Sequence, residues 1–487
     1  MDEFAAWWTS RENLLLVLSL IWTAYVAVVG VWILLQRRAP VATLSWLLSM
    51  TVLPVLGLAV YYFLGPRRLK RQRMRRMLSR RKSRVRASVT RLRQKVPDAP
   101  QHLDQVVKLV AASAHSPVST ATRVEFLVGG AATFDSIVQA VLQAEQSVHL
   151  EYYIFEPDHT GMRLLDALVQ QARAGVHVRL LVDALGSKAL GRKHYAPLLE
   201  AGGEFAFFHP TRFGRRVRPV INFRSHRKIV VVDGRIGYTG GVNITDAEDK
   251  RRDPEAYHDV HVRLEGAVVN WLQAVFLEDW AYALDYQRKK TPHQRDWPAL
   301  LPDLPEGPQV VQIMASGPDS NMEAIHRVHV ASIHAAQQRV WLTTPYFVPT
   351  EAAMLALTNA ALRGVDVRVL VPQRSDSRLV TAAARSYFDE LIACRVKVFE
   401  YHASMLHSKT MLVDDMVGII GTANFDNRSF RLNYEVCAVI YGPEFAQQLA
   451  QQFEVDMAHA QCVTYARPQH FLQRLGDSVA RLCSPLL

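Results

Sequence analysis

Two long apolar runs distinguish the first 65 residues from the rest of the chain. Residues 14–35 contain 22 positions without a charge and residues 41–64 contain another 24, with only "QRRAP" between them. At 1.5 Å per residue, a helix of either length spans a ~30 Å hydrocarbon layer. A cleaved signal peptide would have one shorter apolar core, so we predict a transmembrane helical hairpin over residues 1–65. Pro54 and Gly57 interrupt the second run, which leaves an interfacial or re-entrant segment open as an alternative.

The remaining chain repeats one order of predicted elements. "LQAEQSVHLEYYIFEP" (142–157) resembles "IHAAQQRVWLTTPYFVP" (333–349), since both run from a helix-like stretch into a short strand that ends in Pro. Farther on, "QQARAGVHVRLLVD" (170–183) matches "NAALRGVDVRVLVP" (359–372), each an amphipathic helix, a Gly and an apolar strand. This order is typical of a βαβ unit, so each half is predicted to hold a largely parallel sheet covered by helices.

The repeat predicts an α/β fold with two tandem lobes, in which mixed sheets are flanked by helices. The Pro-rich stretch "DWPALLPDLPEGP" (296–308) indicates a connector between the two halves. We therefore predict four regions: the hairpin at 1–65, a basic juxtamembrane linker at 66–110, a first lobe at 111–300 and a second lobe at 301–487.

Most of the excess positive charge lies in one segment directly after the apolar runs. Residues 67–86 contain 12 Lys and Arg and no acid, so removing them from the formal net charge of +12 leaves none. Beside a membrane span, each basic residue near the surface attracts anionic lipid by ~1 kcal/mol, and basic flanks favour the cytoplasmic side. We predict anionic lipid rather than nucleic acid as the partner of this segment. A solvated, partly helical linker is the alternative.

Two copies of one short motif carry the candidate chemistry. "SHRKIVVVDG" (225–234) and "LHSKTMLVDD" (406–415) both contain H-x-K-x-x-x-x-D, and each is followed after six residues by G-x-x-N. One copy would be a weak signal, but two copies inside a longer repeat argue strongly against coincidence. The catalytic candidates are His226, Lys228, Asp233, His407, Lys409 and Asp414, and the candidates for phosphate binding or orientation include Asn243, Asn424 and Thr422.

Each motif predicts a β-hairpin. Asp-Gly between apolar runs is typical of a two-residue turn. With Asp233 and Gly234 in that turn, His226 lies opposite Gly241 and shares one strand face with Lys228. The turn acid is expected to stabilise the turn rather than to contact substrate.

The second hairpin is predicted to fold in the same way. With Asp414 and Asp415 in its turn, His407 lies opposite Thr422 and shares a face with Lys409. Both hairpins then present an imidazole, an ammonium, an amide and a small residue on one surface.

That surface suits a phosphodiester. Lys and Asn donate hydrogen bonds to non-bridging oxygens, and imidazole attacks phosphorus or exchanges protons near neutral pH. One His cannot do both, so two facing lobes with a shared active site would supply one His on each side of the phosphorus. Each His needs an orienting carboxylate on its other ring nitrogen. Asp259 and Glu435 are the candidates, each in a strand-like stretch shortly after its own hairpin.

The sequence indicates no metal site and no cofactor. Its cysteines, Cys394, Cys437, Cys462 and Cys483, form no C-x-x-C pair and no Cys/His cluster. Scattered thiols are typical of a reducing cytosolic compartment.

These residues resemble the phospholipase D superfamily, whose signature is the paired H-x-K-x-x-x-x-D followed by G-[GST]-x-N. Within it, the chain is similar to the two-span bacterial cardiolipin synthases over essentially its full length. "ASGP" (315–318), "TTPYFVP" (343–349), "GTANFDNRSFRLNYEV" (421–436) and the terminal "SPLL" carry this likeness. Gly241 departs from it, because many relatives have a hydroxyl residue there, as Thr422 does in the second copy.

The resemblance implies that two phosphatidylglycerols give cardiolipin and glycerol in the bacterial cell membrane, with the lobes on the cytoplasmic side. It also implies that His226 forms a phosphatidyl-histidine, while His407 protonates glycerol and then deprotonates the incoming lipid hydroxyl. A hydrolytic phospholipase D, a transferase using another alcohol and a non-enzymatic membrane scaffold stay open, as does a homo-oligomer. The membrane hairpin disfavours a nuclease.

The tail "FLQRLGDSVARL" (471–482) has apolar residues at helical spacing. We expect it to pack on its own domain, with membrane-surface contact as the second alternative.

Overall fold

The computed structural model describes residues 11–35, 40–53, 57, 104–210, 212–213, 216–217, 223–287, 297, 299–320, 322–464, 471–484 and 487. They belong to two compact units, Met1–Gln72 and Arg73–Leu487. The predicted basic segment at 67–86 and residues 58–64 of the second apolar run lie outside the described residues.

The described residues of the N-terminal unit form two helices, α1 (Arg11–Leu34) and α2 (Pro40–Val52). Within α1, the 22 residues Asn13–Leu34 are long and apolar enough to cross a membrane, and they suggest membrane association. The described apolar part of α2, Thr43–Val52, is shorter than a membrane span. Ile33 and Met50 pack against each other between the two helices. The described residues thus contain one span-length helix, and the predicted two-span hairpin is not established by them.

The second unit is built on β-strands that alternate with helices. The strands are β1 (Ser119–Ala121), β2 (Arg123–Val128), β3 (Ser147–Tyr152), β4 (His177–Asp183), β5 (Glu204–Phe208), β6 (Arg212–Phe213), β7 (Arg216–Val217), β8 (Ile229–Val232), β9 (Ile236–Gly240), β10 (Val260–Glu265), β11 (Gln309–Ser316), β12 (Arg339–Thr343), β13 (Phe347–Val348), β14 (Asp366–Pro372), β15 (Lys397–Tyr401), β16 (Thr410–Val413), β17 (Val417–Gly421), β18 (Phe425–Asp426), β19 (Glu435–Tyr441) and β20 (Ala460–Cys462).

Helices cover the faces of the sheets that these strands form. They are α3 (Asp104–Ala114), α4 (Gly129–Leu142), α5 (His159–Arg173), α6 (Arg192–Glu200), α7 (Val269–Gln287), α8 (Ala324–Ala335), α9 (Glu351–Leu362), α10 (Arg378–Arg385), α11 (Phe388–Ala393), α12 (Asn427–Arg431), α13 (Pro443–Met457) and α14 (Phe471–Leu482). A 3₁₀ turn spans Asp246–Glu248.

Two mixed sheets form the two lobes. The 7-stranded sheet has the order β2-β10-β9-β8-β3-β4-β5, and the 9-stranded sheet has the order β1-β11-β19-β17-β16-β12-β14-β15-β20. In the first, β3 is parallel to β4 and β4 to β5, and in the second β12 is parallel to β14 and β14 to β15. All other pairs in these sheets are antiparallel.

The predicted α/β class with two mixed sheets is confirmed, but the expectation of largely parallel sheets was wrong. The helical crossovers produce parallel pairs only at one side of each sheet. The motif hairpins return through short turns, and a short turn can join only antiparallel strands. The strand after each hairpin, β10 or β19, is antiparallel to it as well.

The segment that precedes β2 packs with the second lobe, although it comes before the first motif in the sequence. Strand β1 pairs with β11 in the nine-stranded sheet, although it precedes β2, the first strand of the seven-stranded sheet in sequence. Helix α3 joins the same core through Val106, Val107 and Val110. The other core includes Leu150, Leu180 and further buried residues between positions 127 and 244. Each lobe therefore has its own apolar core, and the site lies where the two sheets meet.

Candidate active site

The first motif hairpin has a three-residue loop rather than the predicted two-residue turn. Val232 pairs with Ile236, which leaves Asp233, Gly234 and Arg235 in the loop. Asp233 and Gly234 both have left-handed backbone angles, with φ of 53° and 65°. The extra residue shifts every cross-strand pair by one position, so the predicted pairing of residues 226 and 241 was wrong.

The second hairpin repeats this geometry. Val413 pairs with Val417, and the loop starts at Asp414, whose φ is 50°. The predicted pairing of residues 407 and 422 was therefore also wrong. Each motif His precedes the first strand of its hairpin, since β8 and β16 begin three residues after it.

The motif acids hold the hairpin loops and do not line the site. The Asp233 carboxylate accepts hydrogen bonds of 2.7–2.9 Å from three consecutive backbone N–H groups, those of residues 145, 146 and 147. The Asp414 carboxylate does the same with residues 337, 338 and 339, at 2.7–3.1 Å. Each acid thus fastens its loop to the start of the neighbouring strand, β3 or β12, which agrees with the expectation that these residues stabilise the turns.

His226 is oriented by the second lobe. Its Nδ1 lies 3.0 Å from Oε2 of Glu435 and 3.0 Å from the carbonyl oxygen of Thr422. Both partners are acceptors, so Nδ1 carries the proton and Nε2 is the nitrogen left for chemistry. The Thr422 hydroxyl donates to the same Glu435 carboxylate, which is fully buried.

His407 is oriented by the first lobe. Its Nδ1 lies 2.6 Å from Oδ2 of Asp259, and Nζ of Lys409 lies 3.2 Å from the same oxygen. Oε1 of Glu248, also in the first lobe, is 3.6 Å from this Nδ1. The two His side chains are only 12% and 10% exposed, so each ring is held in a mostly buried setting.

The two carboxylates occupy equivalent positions and cross to opposite lobes. Asp259 precedes β10 and Glu435 begins β19, at matching places relative to β9 and β17. The sequence located each acid after its own hairpin, but the structure pairs each with the His of the other hairpin. Backbone bonds tie the same segments together: His226 N donates to Tyr434 O at 2.9 Å, and His407 N donates to His258 O at 2.8 Å.

Gly241 makes room for this crossing. A Cβ atom at residue 241 would lie 2.0 Å from Oδ1 of Asp259. Thr422, the equivalent residue, instead contacts the longer Glu435 through its hydroxyl. Residue 241 is Gly, and not a hydroxyl residue, because the Asp259 carboxylate occupies the space that a side chain would need. The Thr422 hydroxyl already donates a hydrogen bond to Glu435.

Two buried lysines bring positive charge into the site. Nζ of Lys228 donates to the carbonyl oxygen of His226 at 2.9 Å and lies 5.5 Å from the ring centroid of Tyr153. Burial and the charge of Lys409 lower the pKa of Lys228 to about 7. The charge of each lysine thus disfavours the charge of the other.

Two family models match the chain. The model described as "Cardiolipin synthase, PLD-like domain" matches residues 137–280 and 330–457, and "Phospholipase_D-nuclease N-terminal" matches residues 24–66. Cardiolipin synthase of Geobacillus kaustophilus is 38% identical over 485 residues, covering 98% of this chain and 95% of the relative. Cardiolipin synthase 1 of Bacillus anthracis is 35% identical over 492 residues, covering 98% and 96%.

The chain belongs to the bacterial cardiolipin synthases of the phospholipase D superfamily. The fold agrees with that of a solved phosphatidylserine synthase from Haemophilus influenzae, with a TM-score of 0.58 at 17% identity. That likeness covers 79% of this chain and 100% of the solved chain.

Glu248 is a site residue that the sequence analysis missed. Its Oε1 accepts from the backbone N–H of Asn243 at 3.1 Å and from Nδ2 of the same Asn at 3.2 Å. The equivalent position in the second lobe, five residues after Asn424, is Ser429, whose hydroxyl accepts from Asn424 N at 3.2 Å. The two copies differ at this fifth position, so the repeat gives no signal for Glu248.

The two asparagines each retain one unused acceptor, which can bind a hydroxyl donor of a ligand but not a phosphate oxygen. Oδ1 of Asn243 and Oδ1 of Asn424 are buried and have no hydrogen-bond partner among the described residues. Both amides follow the second strand of a motif hairpin, so both lie at the same end of the site as the histidines.

Burial sets the charge state of the two rings. It lowers the pKa of His407 to about 4, assisted by Lys409 and opposed by Asp259. Burial also lowers the pKa of His226, assisted by Lys228 and opposed by Glu435. Both rings are therefore neutral at pH 7 before substrate binds. A bound phosphodiester anion favours an imidazolium beside it and raises these pKa values.

Three side chains have donor atoms close enough together to bind a cation, but the ammonium of Lys409 already lies beside them. Donor atoms of Glu248, Asp259 and His407 lie within 4.8 Å of one another. Nζ of Lys409 is 3.2 Å from Asp259 Oδ2 and 2.8 Å from His407 Nδ1. A metal ion bound there would meet this ammonium at close range, so the cluster does not fit a metal.

Arg227 is a second residue that the sequence analysis missed. It lies between the motif His and Lys, and its side chain forms a buried ion pair with Asp279. Its Nε also donates to the carbonyl oxygen of Glu435 at 3.1 Å, and its Nη2 donates to that of Ser316 at 3.1 Å. Arg227 therefore holds the backbone of the residue that orients His226.

Proposed function

We propose that this chain transfers the phosphatidyl group of one phosphatidylglycerol to the primary hydroxyl of a second, which gives cardiolipin and glycerol. The observation that carries the proposal is the pair of histidines at the lobe interface, each oriented by a carboxylate of the other lobe. One phosphodiester replaces another in this reaction, so neither a nucleotide nor a redox group is needed.

In the first step, Nε2 of His226 attacks phosphorus and the bond from phosphorus to the glycerol oxygen breaks. His407, in its imidazolium form, donates a proton to that oxygen, and free glycerol leaves. His226 keeps its Nδ1 proton, so the phosphatidyl-histidine ring is cationic. The buried Glu435 carboxylate, 3.0 Å from that nitrogen, compensates this charge.

In the second step, His407 acts as the base. It takes the proton from the primary hydroxyl of the second phosphatidylglycerol, and the resulting oxygen nucleophile attacks phosphorus. The bond from phosphorus to Nε2 of His226 breaks, which releases cardiolipin and restores both rings to their starting states. Asp259 stabilises the imidazolium of His407 in each half of the cycle.

Lys228, Lys409, Asn243 and Asn424 are proposed to bind the non-bridging phosphate oxygens. Ammonium and amide groups compensate the added charge of the five-coordinate transition state. The low pKa of Lys228, about 7, indicates a poorly solvated ammonium. A phosphodiester anion would bind strongly to such a group because few water contacts are lost.

We also propose that the chain is a multi-pass protein of the bacterial inner membrane, with cytoplasmic lobes. Helix α1 and its contact with α2 through Ile33 and Met50 support a helical hairpin. The basic segment 67–86 would then bind anionic lipid headgroups.

Purified full-length protein in liposomes that contain phosphatidylglycerol as the sole phospholipid tests the reaction. We expect cardiolipin and glycerol in equal amounts. Phosphatidate without cardiolipin would identify a hydrolase, and absence of turnover would identify a scaffold. Addition of serine or ethanolamine tests whether another alcohol can replace the acceptor lipid.

We expect Glu248→Gln to keep most of the activity at pH 7 and to reduce the loss of activity at alkaline pH. Burial and the charge of Asp259 raise the pKa of Glu248 to about 8, so its carboxyl is protonated at neutral pH. Above that pH, ionisation adds a second negative charge beside Asp259 and repels the phosphodiester. An amide preserves the hydrogen bonds to Asn243 but cannot ionise.

The measurement is kcat from pH 6 to 10 at saturating phosphatidylglycerol, where the bound anion keeps Lys228 protonated. Glu248→Ala, which loses both bonds to Asn243, is expected to lower kcat by about 10- to 100-fold at every pH. An unchanged alkaline decline in the Gln variant would show that Glu248 does not cause it.

A further inference from the structure

Helix α14 packs on the second lobe with its polar side inward. Among the described side chains of α14, Asp477 and Ala480 are less than 9% exposed, as is Ser484 just after the helix. The Tyr387 hydroxyl donates to the Ser484 hydroxyl at 2.9 Å. Nη1 of Arg481 donates to the carbonyl oxygen of Ser386 at 3.3 Å. The predicted packing of this segment on its own domain is present, and polar groups form part of the contact.

The apolar side of α14 faces outward. Phe471 is 76% exposed, Leu475 49%, Val479 55% and Leu482 79%. At 100° per residue these four side chains lie within an arc of about 80°, so they form one continuous stripe along the helix. An ordinary surface helix has the opposite arrangement, with its apolar stripe turned to the core.

We propose that this stripe inserts into the headgroup region of a phospholipid bilayer and seats the second lobe on its substrate. Membership of the cardiolipin synthases places the substrates of this chain in a bilayer. A helix that lies in the interface buries one apolar face there while its polar face stays outside the hydrocarbon.

Charge supports a lipid surface as the occupant. Arg474 borders the stripe and is exposed, whereas Asp477, the acid within α14, is on the buried side. Phosphatidylglycerol and cardiolipin are anionic, so a cationic border next to an apolar stripe complements a surface made of them.

The size of the stripe disfavours a second protein. Four side chains exposed to this extent present on the order of 500 Å² of apolar surface. Stable protein complexes bury roughly 800 Å² on each partner. A small apolar contact is sufficient for a lobe whose chain is also held by an apolar N-terminal helix, because each anchor needs to contribute only part of the binding.

The direct test places a fluorophore on the stripe of the full-length protein. Leu475→Cys is labelled with an environment-sensitive dye after Cys394, Cys462 and Cys483 are replaced by Ser, while the buried Cys437 is retained. The protein is reconstituted in bilayers of phosphatidylglycerol and phosphatidylcholine that include a nitroxide-labelled lipid. The control is Leu355→Cys on α9, which is 59% exposed on the same lobe.

We expect the nitroxide lipid to quench the dye at residue 475 at least twofold more than the dye at residue 355. Equal quenching at the two positions, or none at 475, would overturn the proposal. Energy transfer between copies labelled at 475, without lipid quenching, would assign the stripe to a second copy and would also overturn it.

A functional arm uses matched pairs of exposed residues. The double variant Leu475→Glu, Val479→Glu is expected to need at least fivefold more phosphatidylglycerol in the bilayer surface to reach its half-maximal rate. Its kcat should be retained. Leu355→Glu with Leu362→Glu, at 59% and 53% exposure, should leave the required surface fraction within twofold of wild type. If the first double variant reaches its half-maximal rate at the same surface fraction of phosphatidylglycerol as wild type, the proposal is contradicted. If wild-type protein forms no cardiolipin, the proposed reaction fails, and lipid quenching still decides the contact.

Discussion

His226→Ala is expected to abolish both cardiolipin synthesis and the covalent adduct, whereas His407→Ala abolishes synthesis and keeps the adduct. His226 supplies the nitrogen that bonds to phosphorus, so nothing can form without it. His407 supplies protons, and solvent can slowly replace it in the first step. Activating the acceptor hydroxyl in the second step is more demanding, so adduct accumulates. We expect a loss of at least ~10⁴-fold in kcat for each variant, as for other nucleophile and base pairs that act as a unit.

The measurement uses phosphatidylglycerol with a radioactive phosphate, detergent quenching at neutral pH and detection of label on the protein. His334→Ala, which removes an exposed imidazole on α8, is the control and should keep wild-type turnover. Adduct on His226→Ala but not on His407→Ala would reverse the two roles. Full turnover in either variant would refute the two-histidine mechanism.

The motif residues could be predicted from the sequence because their chemistry is encoded in local spacing. His226 and Lys228 lie two positions apart, and their copies at 407 and 409 repeat the interval. The α/β class followed from the apolar periodicity of the repeated helices and strands. These signals depend on neighbours within about 20 residues, which a single sequence shows directly.

The hairpin register could not be predicted because it depends on one residue in the loop. Asp-Gly favours a two-residue turn, but the Asp233 carboxylate accepts hydrogen bonds from three backbone amides at the start of β3. These bonds hold the left-handed Asp and lengthen the loop. The turn signal is local, whereas the competing bonds come from residues more than 80 positions away, and the latter decide the geometry.

The pairing of each acid with its His was also beyond the sequence. Asp259 and His407 are 148 positions apart, and the spacing of one lobe gives no information on how the lobes dock. Glu248 was missed because its counterpart is Ser429, so the repeat does not draw attention to it. For α14, periodicity predicts an amphipathic helix but does not reveal which side faces the protein.

The crossed carboxylates make the two lobes interdependent. Neither lobe contains both a motif His and the acid that orients it, and Arg227 adds a third link by binding the backbone of Glu435. A change in docking between the lobes would therefore disturb both rings together. This arrangement predicts that replacing an acid produces the same kinetic defect as replacing the His that it contacts, although that His lies in the other lobe.

Asp259→Asn is expected to behave like the loss of His407, although residue 259 belongs to the lobe of His226. The Asp259 carboxylate, whose pKa is lowered to about 2 by Lys409 and His407 despite burial, compensates the imidazolium of His407. An isosteric amide removes that charge and keeps the volume. We expect kcat to fall about 10²- to 10⁴-fold with adduct retained. Glu435→Gln should instead slow adduct formation by a similar factor, because Glu435 compensates the cationic ring of phosphorylated His226.

The two isosteric variants are compared in the same radioactive trapping assay, with rates of adduct formation and decay measured separately. Glu255→Gln and Glu444→Gln remove exposed acids from the first and second lobes and should stay within twofold of wild type. The opposite pattern, in which Asp259→Asn prevents the adduct and Glu435→Gln preserves it, would mean that each acid serves its own lobe. The crossed geometry would then not be the working arrangement, whereas the expected pattern ties each half-reaction to both lobes.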